Sequence, residues 1–226
     1  MTSPARKLVV ATTCAAFLLG ACTTKNPYTG EEETSNTTRG AIIGALGGAL
    51  VGALTNTSDG KQTARNALIG AGIGALAGGA VGYYMDEQEA KLRERLRNSG
   101  VSVSRNGDNI VLNMENAILF ELGSSELSRE AREIIRSVSF VLNEYDQTIV
   151  EVSGFTDTTG SDDFNQDLSE ERAGAVAERL IRFEVMPQRL IVRGYGETRL
   201  KIRTRDGVNE PRNRRVEIEI SPLTTN

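Results

Sequence analysis

Hydrophobic and polar positions follow three different rules along this chain. From Leu8 to Leu19 the residues are apolar except for Thr12, Thr13 and Cys14, directly after the basic pair Arg6 and Lys7. From Arg39 to Tyr84 glycine, alanine, leucine and isoleucine dominate, and glycine returns at every fourth position: Gly40, Gly44, Gly48 and Gly52, then Gly70, Gly74, Gly78 and Gly82. Ala41-Ile42-Ile43-Gly44-Ala45 aligns with Ala67-Leu68-Ile69-Gly70-Ala71, an internal repeat. From Val101 onward the pattern alternates between period two and period 3.6, as in a domain that mixes strands with amphipathic helices.

The glycine rows predict two helices, Arg39 to Leu54 and Thr63 to about Asn98, joined by the polar turn Thr55 to Gln62. Glycine inside a helix costs roughly 1 kcal/mol against alanine, so its recurrence at helical spacing implies close backbone approach by another helix, a glycine-zipper hairpin. Leucine and isoleucine outside those rows leave apolar surface. That surface favours membrane association or self-association of the hairpin, with packing of the same leucines on the globular domain as the alternative. The run Asp86 to Leu96, with Glu87/Lys91 and Glu89/Arg93 at helical pair spacing, reads as a solvated connector ended by Asn98-Ser99-Gly100.

In the C-terminal part, Val101, Val103 and Arg105 face Ile110, Leu112 and Met114 across Asn106-Gly107-Asp108, a hairpin. Ile118 to Phe120 reads as a short extended piece, and Ala131, Ile134, Ile135, Val138, Val141 and Leu142 mark a helix begun near Ser128. A strand follows over 149–154. The next helix carries Ala173, Val176, Leu180 and Phe183 on one face, with Ser169 or Asn165 as its N-cap. Strand 190–195, a polar loop over 198–211 and strand 214–220 complete the order. The prediction is an α+β domain, a mixed sheet with helices on one face. Five segments result: 1–21, a leader that is removed; 22–38, a flexible tether; 39–85, the glycine-zipper hairpin; 86–99, the charged helical connector; and 100–222, the globular domain.

Composition narrows the chemistry. The 226 residues are 39% hydrophobic and 25% charged, enough for one full domain and a smaller appendage. Histidine is absent, which removes Ser-His-Asp and Cys-His catalysis, histidine-ligated zinc and the histidine pH switch. Nothing calls for a cofactor or a metal. Formal charge is −4, and about −6 once Arg6 and Lys7 leave with the leader. Such a chain is a poor nucleic-acid ligand, and the basic loop Arg199 to Arg205 has no interleaved aromatic residue. Asp157, Asp162, Asp163 and Glu171 lie in no apolar setting that raises a carboxyl pKa, so an enzyme is not expected.

The candidate site lies in Gly154 to Ala173, reading GFTDTTGSDDFNQDLSEERA. Asp157 falls in a turn-forming run and Arg172 near the expected helix start, where the helix dipole disfavours a cation. That position points to a ligand carrying both charges. The competing explanation is an ion pair between Arg172 and Asp157 or Asp167.

Thr156, Asp157, Gly160, Asn165, Leu168, Ser169, Arg172 and Ala173 fit T-D-x-x-G-x(4)-N-x-x-L-S-x-x-R-A, which resembles the signature of the OmpA-like peptidoglycan-binding domain. The likeness continues through Gly194-Tyr195-Gly196-Glu197 and Asn213-Arg214-Arg215-Val216-Glu217-Ile218 and spans roughly 100–222. It departs at Phe155, where many members have histidine. The resemblance implies noncovalent binding of the meso-diaminopimelate of the peptidoglycan stem peptide, whose free end is a zwitterion. Asp157 is then expected to hold the ammonium and Arg172 the carboxylate in a two-pronged hydrogen bond. Asn165 is expected to give a polar contact, Arg214 a further basic one, and Thr159 to line the ligand.

At the other end, Leu19-Gly20-Ala21-Cys22 resembles the bacterial lipobox. Cleavage before Cys22 leaves it to carry diacylglycerol and an N-acyl chain such as palmitate; Cys14 departs with the leader, so no disulfide is expected. Threonine at position 23 directs sorting to the outer membrane. The order of lipobox, glycine repeats, connector and OmpA-like domain resembles the YiaD type of outer-membrane lipoprotein. That resemblance implies a tether between outer membrane and cell wall, with the globular domain in the periplasm. The alternative is an oligomeric membrane element in which the hairpin is primary and the wall domain only localises it.

Overall fold

A computed structural model describes residues 23–25, 32–34, 60–70, 72–76, 80–120 and 124–224. Cys22, the leader and the expected helix over Arg39 to Leu54 lie outside the described residues. Within the stretch read as a tether, strands β1 (Thr23–Lys25) and β2 (Glu32–Thr34) pair antiparallel in a small unit of their own.

The second unit holds the domain. Its elements are α1 (Gly60–Gly70), α2 (Ala80–Arg95), β3 (Ser102–Asn106), β4 (Asn109–Glu115), α3 (Arg129–Glu144), β5 (Thr148–Phe155), α4 (Asp162–Arg182), β6 (Leu190–Gly194) and β7 (Arg215–Pro222). The strands form one sheet in the order β3-β4-β7-β5-β6, antiparallel except for the parallel β5–β6 pair. The α+β expectation holds, with α3 and α4 on one face.

Alternation along the strands sets that face. Val150, Ile220 and Ile110 stand in one cross-strand row, and Val152, Ile218 and Leu112 in the next. All six are fully buried beneath Ile135, Val138 and Leu142 of α3 and Val176 and Leu180 of α4. At about 25 cal/mol per Å², each such side chain contributes roughly 1.5–3 kcal/mol.

Four local expectations change. The helix predicted from Thr63 to Asn98 is two helices. Gly72, at φ 84°, closes α1 in a Schellman turn, Ile73 N–H donating to the Leu68 carbonyl at 3.0 Å and Gly72 N–H to that of Ile69 at 3.1 Å. Gly72 stands outside the four-residue glycine row, which is why the row gave no warning. Secondly, the connector is docked: Val81, Met85, Gln88, Leu92 and Leu96 form a buried stripe, all but Gln88 within the main core. Glu89 and Arg93 pair as predicted at 2.7 Å, but Lys91 pairs with Glu144 of α3. Thirdly, Asn116–Leu119 is a helical turn, not an extended piece, followed by a bridge between Phe120 and Leu127. Ser128 caps α3 as expected, accepting from Ala131 N–H at 2.9 Å. Fourthly, α4 begins earlier than Asn165: Ser161 is its N-cap and Asp162 and Asp163 fill its first turn, where carboxylates favour the dipole. Arg172 therefore lies in mid-helix.

The glycine-repeat helix α1 lies on the face opposite α3 and α4. Ala64 and Leu68 are fully buried against Ile149, Ile191 and Leu223, and Lys61 pairs with Glu219 at 2.8 Å. Among the described residues no helix is long and apolar enough to cross a membrane.

One buried cation went unremarked in the sequence. Arg189 is 1% exposed and donates to the carbonyls of Leu142, Tyr145 and Thr148, closing the C-terminal end of α3. Burial lowers its pKa to about 10. Arg189→Leu strands these carbonyls and is expected to destabilise the domain by about 3 kcal/mol or more in urea unfolding. Gly154→Ala is expected to cost about 1–3 kcal/mol, because its Cβ would lie 2.1 Å from the Ser169 carbonyl oxygen. Gly174→Ala, with open space at its Cβ and helical backbone, is expected to stabilise by up to about 1 kcal/mol.

Candidate functional site

β5 and α4 meet at two glycines. Gly154 of β5 pairs with Gly194 of β6, and both lie against Ser169 of α4 so closely that neither admits a Cβ. Ser169 Oγ accepts from Gly196 N–H at 2.9 Å and donates to the Gln166 carbonyl at 2.8 Å, fixing the helix on this edge. Asn165 and Arg172, one turn before and after Ser169, are carried on the same buried face to the end of β5, where Asp157 emerges.

Asp157 is 1% exposed and fully engaged. One carboxylate oxygen accepts from Thr159 N–H at 3.1 Å and from the Thr159 hydroxyl. The other accepts from Glu210 N–H at 3.3 Å and from Arg214 Nη1. Burial by itself raises the Asp157 pKa, yet the hydrogen bonds from Thr159 and Arg214 outweigh it and hold the carboxyl below its ordinary 3.8. Asn165 Nδ2 donates to the Asp157 carbonyl at 3.3 Å and to Glu197 at 2.7 Å. The loop 198–211 wraps this turn, with Gly207 N–H donating to the Thr158 carbonyl and the Thr158 hydroxyl donating to that of Arg205, both at 2.7 Å.

The structure thus gathers Asp157, Thr159, Asn165 and Arg214 into one hydrogen-bonded group. Arg214, expected as a further basic contact to ligand, is the ion-pair partner of Asp157. Arg172 stands apart from that group. Neither Asp157 nor Asp167 pairs with it among the described residues, so the ion-pair alternative is not what the structure contains. Its guanidinium lies over the Phe120 ring, 5.3 Å from the centroid, and makes one long hydrogen bond, 3.4 Å to the Ser124 carbonyl. Nε and Nη1 are buried without a hydrogen-bond partner among the described residues. Burial lowers the Arg172 pKa and the charge of Arg214 lowers it further, against the opposing fields of Asp157 and Glu171. Among the described residues Arg172 thus keeps unsatisfied N–H donors on both sides of an Nη2 held only by a long contact, which suits an anion docking on one edge of the guanidinium. Because Arg172 is in mid-helix, it is this missing partner, not the helix dipole, that sets it apart.

Phe155, where the family pattern has histidine, plays no part here. It alternates with Gly154 and faces away from α4, 4% exposed, stacked on Tyr195 at 5.3 Å and beneath Arg215 at 3.8 Å. Two further residues were missed from the sequence. Asn116 and Thr156 are buried, and their side-chain polar atoms have no partner among the described residues. Thr156 belongs to the signature, but nothing in the spacing marked Asn116. A shallow cavity of about 230 Å³ between Ser125 and Arg182 includes none of these residues.

Comparison with known proteins agrees with this layout. The OmpA family matches residues 119–214, and the YMGG-like Gly-zipper matches residues 1–86. Solved structures with the same fold include a MotB like protein from Desulfovibrio vulgaris, with TM-score 0.55 and 20% identity over 63% of this chain and 94% of that one. Another is the cell wall anchor of the T6SS from Pseudomonas aeruginosa, with TM-score 0.51 and 24% identity over 58% and 96%. Outer membrane porin F of Pseudomonas fluorescens is 32% identical over 110 residues, 49% of this chain and 34% of that protein. The probable lipoprotein YiaD of Escherichia coli (strain K12) is 45% identical over 216 residues, 96% of this chain and 97% of that protein. With a relative matched from end to end and two family models on its two halves, the chain belongs to the YiaD family of lipoproteins, with an OmpA family domain behind a glycine-zipper segment.

Proposed function

We propose that this protein is a lipid-anchored component of the outer membrane whose periplasmic domain holds peptidoglycan noncovalently through the meso-diaminopimelate of the stem peptide. The observation that carries the reading is Arg172, a buried guanidinium whose Nε and Nη1 are unpartnered among the described residues, within the field of the Asp157 carboxylate but not paired with it. A buried cation without an anion is unfavourable, and a ligand carboxylate on an edge that Nη2 shares with Nε or with Nη1, replacing the long 3.4 Å contact to the Ser124 carbonyl, supplies the missing partner. The acceptor positions of Asp157 are filled by Thr159, Glu210 and Arg214. The ligand ammonium takes the place that Arg214 holds, the one occupant among these carried by a long, partly exposed side chain; Arg214 keeps Asn209 as a partner. Binding is thus an exchange of one cation for another at Asp157 and a new ion pair at Arg172, with no bond made or broken. Cys22 supplies the lipid end.

The rival reading, assembly through the glycine hairpin, is less favoured because the described helix of that segment buries Ala64 and Leu68 on the sheet.

Arg172→Ala and Asp157→Ala are each expected to lower affinity for a diaminopimelate-bearing stem peptide by roughly 30- to 100-fold in calorimetry, the about 2–3 kcal/mol of a charge-assisted contact. Arg172→Lys keeps the charge but not the fork and is expected to recover only part of it. Retention of full affinity by both alanine variants would reject the site.

The folded-state pKa of Asp157 lies below its ordinary value, so its contribution is complete above 3.8 and is lost as pH falls through the lower value. Binding is therefore expected to be flat from about pH 8 to pH 5 and to decline only below about pH 4, with Arg214→Ala moving the decline upward. A midpoint near neutrality would contradict this. For the anchor, Cys22→Ala is expected to abolish incorporation of labelled palmitate and to release the protein from the membrane fraction.

A further inference from the structure

We infer that the side-chain amide of Asn116 is a specificity residue that reads the uncharged peptide linkage next to the diaminopimelate. This rests on the wall-binding reading above. Asn116 follows β4 directly, at the sheet end where Glu115 pairs with Arg215 and Arg215 with Phe155. Asn116 and Thr156 are the residues that follow those strand ends, and Arg214, whose side chain pairs with Asp157, is the residue that precedes Arg215. The Asn116 N–H donates to the Arg214 carbonyl at 3.0 Å, and its own carbonyl accepts from Phe120 N–H at 2.9 Å. Phe120 carries the Arg172 guanidinium, so Asn116 is tied by backbone to both halves of the charged site.

Asn116 is 7% exposed, and neither Oδ1 nor Nδ2 has a hydrogen-bond partner among the described residues. Among the described residues the hydroxyl of Thr156, 2% exposed, and Nε and Nη1 of Arg172, 8% exposed, are likewise without a hydrogen-bond partner. Buried polar groups are normally paired, and exceptions at Asn116 and Thr156, directly after β4 and β5, and at Arg172, over the ring of Phe120, mark a place where something polar docks. Gln88 is buried and unpartnered too, but it sits in the stripe between Met85 and Leu92, away from this sheet end.

The chemistry assigns the roles. Arg172 and Asp157 answer a carboxylate and an ammonium. A primary amide presents one acceptor and two donors without charge, which matches the N–H and C=O of a peptide bond better than either ionic group. Asn116 thereby distinguishes diaminopimelate built into a stem peptide from the free amino acid.

The test uses the full protein in calorimetry with two probes, free meso-diaminopimelate and a synthetic stem tripeptide ending in meso-diaminopimelate. The wild type is expected to bind the tripeptide more tightly. Asn116→Leu, close in shape but apolar, is expected to lose about tenfold on the tripeptide and less than about twofold on the free amino acid. Asn116→Asp, which keeps an acceptor but no donor, is also expected to lose the preference. Melting temperature separates this from a structural role: an amide unpartnered before ligand binds predicts that Asn116→Leu melts no lower than wild type, whereas a structural amide predicts a drop. An unchanged tripeptide-to-free ratio in both variants overturns the inference while leaving the charged site standing. Failure of the wild type to bind either probe overturns both.

Discussion

The site depends on how closely helix α4 can approach the sheet. Gly154 and Gly194 lie next to each other on parallel strands, and Ser169 rests on them with no room for a Cβ at either. From that contact the positions of Asn165 and Arg172 follow, because residues three and four apart on a helix share a face. The same face changes character along its length. Asn165, Ser169 and Arg172 are buried polar groups at the strand end, while Val176, Ala177 and Leu180 are core. One helix thus secures the domain with its second half and carries a buried polar cluster on its first.

Electrostatics then sets the charge state of that cluster. Asp157 remains an anion despite burial because Thr159, Glu210 and Arg214 surround it with donors. Arg172 receives no such compensation from the described residues, and Arg214 repels it. The result is an ordered arrangement in which a guanidinium and two neutral groups, at Asn116 and Thr156, lack hydrogen-bond partners among the described residues. Preorganisation of this kind lowers the cost of ordering when a ligand arrives.

The described part of the glycine-repeat segment packs on the globular domain, the alternative that the sequence left open. In the described part, small residues let α1 lie on the second face of the sheet, with Ala64 at the contact and Leu68 filling the space between Ile149, Ile191 and Leu223. Residues 72–76 then run beside the end of the domain, Leu76 N–H donating to the Leu223 carbonyl at 2.6 Å. Helix α2, charged along most of its surface, still buries a stripe in the main core. Both segments are therefore part of the globular body.

Strands β3, β4, β5, β6 and β7, helix α3 with its Ser128 cap, and the mixed α+β class were legible in the sequence, because period-two and period-3.6 patterns report directly which side of an element is buried. Asp157, Asn165, Arg172, Thr159 and Arg214 were legible only as residue types at a familiar spacing. Their pairing was not, since Arg214 reaches Asp157 from the turn before β7, far along the chain, while Arg172, closer in sequence, does not pair with it. The early start of α4 was hidden because Ser161, Asp162 and Asp163 serve equally as turn and as cap. Gly72 ends α1 by a local turn that the four-residue row concealed. Asn116 and Arg189 carried no local signal: an amide at the end of β4 and an arginine closing the far end of another helix acquire meaning only when the sheet brings distant segments together, which is a property of tertiary contacts and not of periodicity.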